Sequence, residues 1–333
     1  MSGEGFRAYR VEQTGQGQYV SSVRALTTDD LPAGEVLVQV HYSSLNYKDA
    51  LSATGAKGVT RRYPHTPGID CAGVVVESAS PAWHGGDEVI VTSYDLGMDT
   101  DGGFAGYVRV PAEWVVRRPE GLTLRQAMIC GTAGFTAALC IQALEDQGVR
   151  PESGEVLVTG ATGGVGSMAV GLLSIRGYRV VAATGKQDAA DWLRNLGAHE
   201  VIPREAVTDT SARPLLKVRW AAAVDAVGGD FLAATLKAIA YRGAVACCGL
   251  VASAELHTTV LPFILRAVSL LGIDSQNAPR DLRERTWSRI AEDWCVQRFD
   301  AIATEITLDQ VTEHLQRLLE GHVRGRILLN PQL

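Results

Sequence analysis

"EVLVTGATGGVGSMAVGLLSIRG", Glu155 to Gly177, decides the fold of this chain. Glu155 to Gly160 reads as a short apolar strand and Gly164 to Gly177 as a helix, with Gly160, Gly163, Gly164 and Gly166 where they meet. Glycines let a backbone approach a pyrophosphate closely, and a helix N-terminus presents free N–H groups and the positive end of its dipole. Tight turns use glycine too, so the loop alone is weak. Its weight comes from the strand-loop-helix-strand unit around it.

Outward from this stretch, strands and helices alternate. "YRVVAAT" (Tyr178 to Thr184), "HEVI" (His199 to Ile202), "WAAAVDAV" (Trp220 to Val227), "GAVACCG" (Gly243 to Gly249) and "VSLLGID" (Val268 to Asp274) are strands, and "DAADWLRNLG" (Asp188 to Gly197) is a helix. Near-continuous apolar strands separated by helices predict a parallel sheet covered on both faces, a doubly wound α/β fold. An NAD site of this kind offers Asp or Glu about 20 residues beyond the glycines. Here the second strand ends in Thr184, Gly185 and Lys186, with Arg204 just after the third strand. A hydroxyl and two cations suit a 2′-phosphate, which an acid would repel, so NADPH is the predicted cofactor.

Before about Thr123 the texture differs. "EVLVQVHY", "CAGVVVES", "DEVIVTS" and "GGFAGYVRVP" are short alternating runs, which predict an antiparallel barrel or sandwich. With 333 residues the chain has material for two domains. The expected boundaries are 1–123 for the β-rich domain, completed by 297–333, and 124–296 for the nucleotide domain. A net charge of -6 gives no reason to expect nucleic acid or an anionic membrane as partner. "AMICGTAGFTAALCIQAL" is broken by Gly, Thr and Gln and reads as buried structure instead of a membrane span. The N-terminus has no basic segment followed by an apolar core, so no signal peptide is expected. The six cysteines, Cys71, Cys130, Cys140, Cys247, Cys248 and Cys295, form no CxxC pair, which fits reduced thiols in the cytoplasm.

The first strand of the β-rich part runs into "SSLNYKD", Ser43 to Asp49. A turn needs one Asn or Asp, and here four hydrogen-bonding side chains follow one another. Asn46 and Tyr47 are the candidate catalytic donors, while Lys48 and Asp49 begin a helix and Asp49 complements its N-terminus. The alternative for the pair is a cap and a packing ring. Asp70 reads as a partner for nearby backbone N–H groups. Arg61 and Arg62 read as solvated, and His65 as a surface residue.

A β-rich first domain before a Rossmann domain resembles the medium-chain dehydrogenase/reductase superfamily. Its zinc alcohol dehydrogenases use Cys and His ligands. Here Asn46-Tyr47 stands where a ligand Cys would follow the first core strand, and Ile69 in "PGIDCAG" replaces the ligand His. Cys130 is left over, and a buried thiol is mostly packing. No metal is expected. "SSLNYKDAL", "PGIDCAGVV", "MICGTAGFTAAL", "VTGATGGVGS", "CCGLV", "PFILRAVSLLGIDS" and "GRILL" together resemble the acrylyl-CoA reductase (NADPH) branch, with the YhdH- and YhfP-type quinone oxidoreductases. The resemblance implies a GroES-like catalytic domain plus a Rossmann cofactor domain, and a homodimer. It implies reduction of the C=C bond of an α,β-unsaturated acyl-CoA, acrylyl-CoA by preference. The cofactor positions it implies are Tyr47, Thr162, Gly163, Gly164, Val165, Thr184, Gly185, Lys186, Arg204, Leu250, Ile264 and Ser275. Thr184 stands where the branch often has Ser, a change that keeps the hydroxyl. An NADPH:quinone or enal reductase of the same fold, or an NADPH-binding protein without catalysis, are the alternatives.

Overall fold

The computed structural model describes residues 3–211, 213–294 and 296–333, so Cys295 lies outside the described residues. In the N-terminal part, strands β1 (Gly5–Gln13), β2 (Tyr19–Thr27) and β3 (Val36–Ser44) precede helix α1 (Tyr47–Ala53). Strands β4 (Asp70–Ser78), β5 (Glu88–Thr92), β6 (Tyr107–Val110) and β7 (Val115–Arg117) follow, and helix α2 (Leu124–Asp146) closes this part.

The central part runs β8 (Glu155–Val158), α3 (Gly164–Ile175), β9 (Arg179–Thr184), α4 (Ala190–Leu196), β10 (Glu200–Pro203), β11 (Trp220–Asp225), α5 (Gly229–Ala238), β12 (Ile239–Cys247), α6 (Leu261–Arg266) and β13 (Ser269–Gly272). The C-terminal part adds α7 (Arg280–Asp293), β14 (Ala303–Ile306), α8 (Val311–Leu319) and β15 (Arg326–Leu329).

Two units result, Met1–Thr132 with Gln276–Leu333, and Ala133–Ser275. The expected boundaries at 123/124 and 296/297 therefore differ from the observed division. Two groups of bonds account for the shift. Thr132, inside α2, is bonded to Asp70 of the first unit. Arg283 of α7 donates to the carbonyl and hydroxyl of Thr92, which fastens α7 to the same unit.

In the second unit the strand order is β10-β9-β8-β11-β12-β13, and every pairing is parallel. The order reverses between β8 and β11, the switch point at which doubly wound sheets bind dinucleotides. Val156, Leu157 and Val158 of β8 are fully buried, as continuous apolar strands require when helices cover both faces.

In the first unit β1 pairs with β2, and a second sheet runs β14-β15-β3-β4-β5-β7 with β6 also on β3. Apart from parallel β14 and β15, its pairings are antiparallel. Alternation fills the core: Val36, Val38 and Val40 pack with Cys71, Val75, Val89 and Val91. A second cluster joins Leu45 and Ala50 to Val311 and Leu315 of α8. Helix α2 is long and apolar enough to cross a membrane, yet 83% of its most apolar window is buried inside the fold.

Candidate active site

Within the second unit, Gly160 turns the chain after β8 with φ 60, a left-handed conformation that suits glycine. Gly163 N–H bonds to Gly160 O at 2.9 Å, and Ala161 N–H to Ala183 O at 3.1 Å, fixing the loop against β9. A Cβ on Gly166 would lie 2.2 Å from Gly160 O, so helix and loop meet only because that side chain is missing. Gly163 is the N-cap of α3, and no side chain caps this end. The loop thus offers what a pyrophosphate needs: close backbone and the uncapped positive end of a twelve-residue helix. Thr162 is buried beside the exposed Gly163, and Gly164 and Val165 are half-buried.

Across the switch point, Thr159 donates to Asp225 Oδ1 at 2.7 Å, and Gly228 N–H to Asp225 Oδ2 at 2.8 Å. Burial raises the Asp225 carboxyl, and these two bonds oppose the rise. Asp225 thereby binds together the turns that follow β8 and β11, a role its sequence "VDAVGG" did not reveal.

The residues expected to hold the 2′-phosphate lie at the carboxyl ends of β9 and β10, where Pro203 pairs with Thr184. Lys186 N–H donates to Thr184 Oγ1 at 3.0 Å. A Cβ on Gly185 would sit 3.0 Å from Arg204 Cδ, so the arginine stem crosses directly over this glycine. Arg204 Nε pairs with Glu205 at 3.1 Å on the surface. Leu250 follows β12 and Ser275 follows β13, at the same edge of the parallel sheet, while Ile264 lies in α6. Leu250 and Ile264 are 66% and 68% exposed, open enough to meet a ligand. Ser275 Oγ accepts a bond from Thr136 at 2.8 Å. These groups fit NADPH: glycines where the backbone must approach, and a hydroxyl and a guanidinium where an NAD site carries an acid.

The first unit holds the other half of the prediction. Tyr47 is the first residue of α1 and is 40% exposed. Its hydroxyl has no partner among the described residues. Asn46 differs from expectation. Its Nδ2 donates to Ser44 O at 3.2 Å and to Asp70 Oδ2 at 2.7 Å, so both amide hydrogens are already engaged. Lys48 donates to Gln276 Oε1.

Beneath these residues lies a buried ionic cluster. Asp70 accepts from Ser44 Oγ at 2.7 Å, from Asn46, and from the N–H and hydroxyl of Thr132. Arg326 approaches Asp70 at 3.9 Å and donates to Ile129 O and Ser44 Oγ at 2.9 Å each. Asp49 is fully buried and accepts from the backbone N–H groups of Asn46, Gly68 and Ile69. Its role as a complement to the helix end is therefore only part of the account, since it also anchors the chain entering β4. Burial and the charge of Asp70 push the Asp49 carboxyl up to about 7, against those three N–H donors. Burial lowers the Arg326 guanidinium, and the two carboxylates resist that. Gly131 is required here. At φ 50, a Cβ would meet Asp70 Oδ2 at 2.4 Å and Ser44 Oγ at 2.5 Å.

His65 also differs from expectation. It is 3% exposed, with Nε2 2.9 Å from Gly97 O, because its backbone bridges to Val11 and carries the ring inward. Arg61 is exposed and paired with Asp99. Among the described residues no group of three or more His, Cys, Asp or Glu is placed to hold a metal ion.

Residues 32–120 match the alcohol dehydrogenase GroES-like domain, and 164–292 the zinc-binding dehydrogenase family. The putative quinone oxidoreductase YhfP of Bacillus subtilis is 47% identical over 97% of this chain and 98% of its own length. The acrylyl-CoA reductase AcuI of Ruegeria pomeroyi is 45% identical over 96% of each. The chain belongs to the acrylyl-CoA reductase branch of the medium-chain dehydrogenase/reductase superfamily. Within that branch, the solved YhdH oxidoreductase of Salmonella enterica in complex with NADP shares 46% identity, with a TM-score of 0.95 over 97% of this chain and 99% of that one. YhfP, whose solved structure has NAD bound, gives a TM-score of 0.95 over 98% of this chain and 99% of its own.

Proposed function

We propose that this chain reduces the C=C bond of an α,β-unsaturated acyl-CoA with NADPH and without metal, acrylyl-CoA giving propionyl-CoA. The observation that carries the reading is the full-length likeness to acrylyl-CoA reductase AcuI. NADPH, when bound, supplies the hydride that the β-carbon receives. The glycine loop and the N-terminus of α3 hold its pyrophosphate, and Thr184, Lys186 and Arg204 receive the 2′-phosphate. Tyr47 donates to the thioester oxygen as charge develops there, or delivers the α-carbon proton. Asn46 acts as a positioning residue: its amide ties the start of α1 to Asp70, so Tyr47 begins from a fixed point. Ile69 and Asn46 stand where zinc-dependent relatives carry His and Cys, which supports the metal-free reading.

The likeness to YhfP supports a second reading, reduction of a quinone on the same framework. Following NADPH absorbance with acrylyl-CoA, with a quinone and with no acceptor separates them. Turnover with the thioester alone supports the first reading, and turnover with the quinone alone replaces it. Silence with every acceptor points to an NADPH-binding protein. We further propose a homodimer in a reducing, cytoplasmic setting. Strand β13 is the outermost strand of its sheet, and Cys71, Cys130, Cys140, Cys247 and Cys248 are unpaired.

A further inference from the structure

Strand β5 runs out into two successive residues with a left-handed backbone, and neither is glycine. Ser93 has φ 64 and Tyr94 has φ 51, where an L side chain crowds its own backbone. Such a conformation persists only where the surroundings over-determine it, and it gathers at sites with a task. The surroundings here are specific. The Tyr94 ring stacks on Trp114, with centroids 5.5 Å apart and planes within 10°. The Arg283 guanidinium lies over the same ring, 4.4 Å from its centroid. Ser93 N–H is bonded to Ile69 O at 2.7 Å.

Two chains of bonds lead from this turn to the two neighbours of Tyr47. In the first, Thr132 gives its hydroxyl proton to Asp70, so the Ser93 hydroxyl, 2.9 Å from Thr132 Oγ1, donates to it. Asp70 in turn accepts from Asn46 Nδ2. In the second, Tyr94 N–H donates to Gln276 O at 3.3 Å, and Gln276 Oε1 accepts from Lys48 Nζ. Arg283 Nη2 reaches the same Gln276 carbonyl at 3.2 Å. Every residue in both chains belongs to the first unit.

We propose that the Ser93-Tyr94 turn is a positioning element for Tyr47, holding the chain on both sides of it so that its hydroxyl meets the acyl-CoA in one place. This rests on the reading of Tyr47 as the donor in C=C reduction. Tyr47 is 40% exposed, so packing fixes little of its ring and the backbone that carries it sets its aim. With two left-handed residues in succession, one turn serves both chains: Ser93 through its side chain and Tyr94 through its backbone. The stack of Trp114, Tyr94 and Arg283 keeps the turn from relaxing.

A double-mutant cycle in the full chain, with acrylyl-CoA and NADPH, tests this. Ser93→Ala should lower kcat about tenfold and leave KM for NADPH within about twofold. In a Tyr47→Phe background the same change should cost no further activity, because the hydroxyl that it aims is already gone. Tyr94→Leu should lower kcat likewise, while Tyr94→Trp, which keeps a stacking ring, should retain it. An equal loss from Ser93→Ala in both backgrounds, or no loss in either, would overturn the positioning role. A parent without turnover on acrylyl-CoA, or Tyr47→Phe as fast as the parent, would instead sink the reading of the reaction and take the positioning role with it. Ser93→Ala removes one hydroxyl and keeps a side chain of similar size, so the cycle decides even if the Tyr94 variants fold poorly.

Discussion

Thr132 gives Asp70 both its backbone N–H, at 2.9 Å to Oδ2, and its hydroxyl, at 2.6 Å to Oδ1. That pair of bonds fastens helix α2 to the carboxylate that also holds Ser44 and Asn46. The start of α1, and Tyr47 with it, thus takes its position from a charge buried one layer below.

If the Tyr47 hydroxyl donates in the transition state, Tyr47→Phe should lower kcat with an acyl-CoA substrate by at least about tenfold. KM for NADPH should stay within about twofold, since the ring is kept. Steady-state kinetics decide, and an unchanged kcat would remove the hydroxyl from the mechanism.

Arg204 makes a cofactor prediction. Losing one charge-assisted contact to a 2′-phosphate should raise KM for NADPH about tenfold in Arg204→Ala. KM for NADH should barely move. Equal changes for both nucleotides would mean that the guanidinium never meets the 2′-phosphate.

Gly131→Ala tests the need for a bare backbone within the ionic cluster. The substitution adds left-handed strain and drives a methyl group into Asp70 and Ser44, for a loss of about 3 kcal/mol. Urea unfolding should show a lower midpoint with the slope unchanged. A loss below about 1 kcal/mol would show that the cluster yields easily.

Asp49 gives a pH dependence with a definite sign. Its folded carboxyl titrates at about 7 and its unfolded one near the ordinary value of about 3.9, so between these limits the folded protein holds the extra proton. Stability from this group is present below about pH 4 and is lost as pH rises through about 7. Asp49→Asn removes that slope. The fall in unfolding free energy between pH 5 and pH 8 should be smaller in the variant than in the parent, and an identical fall would show that Asp49 is ionised throughout.

The Rossmann half was legible because each strand there is a continuous apolar run and its glycines cluster in one loop. The closeness of Thr184 and Arg204 was legible for a similar reason: both sit at strand ends, where strand order alone brings them together. The ionic cluster was not. Asp70 and Arg326 look like single charges at the starts of strands, and nothing local tells that a chain with 255 residues between them brings them within 3.9 Å. Helix α7 hid for another reason. "RDLRERTWSRIAED" is rich in charge and has no apolar run, yet Arg283, Trp287 and Ile290 are buried. Asn46 was read as a candidate catalytic donor, but its bonds run inward, and only coordinates show which way an amide points.

The Asp70 shell sets a limit on retro-engineering. Grafting a zinc ligand pair by Asn46→Cys and Ile69→His would withdraw the amide from Asp70 and leave a lone pair of a buried carboxylate without its donor. A designer placing metal ligands at these two positions would have to rebuild Ser44, Asp70, Thr132 and Arg326 at the same time. Such ligands depend on the support beneath them, and no exchange of the two residues alone will supply it.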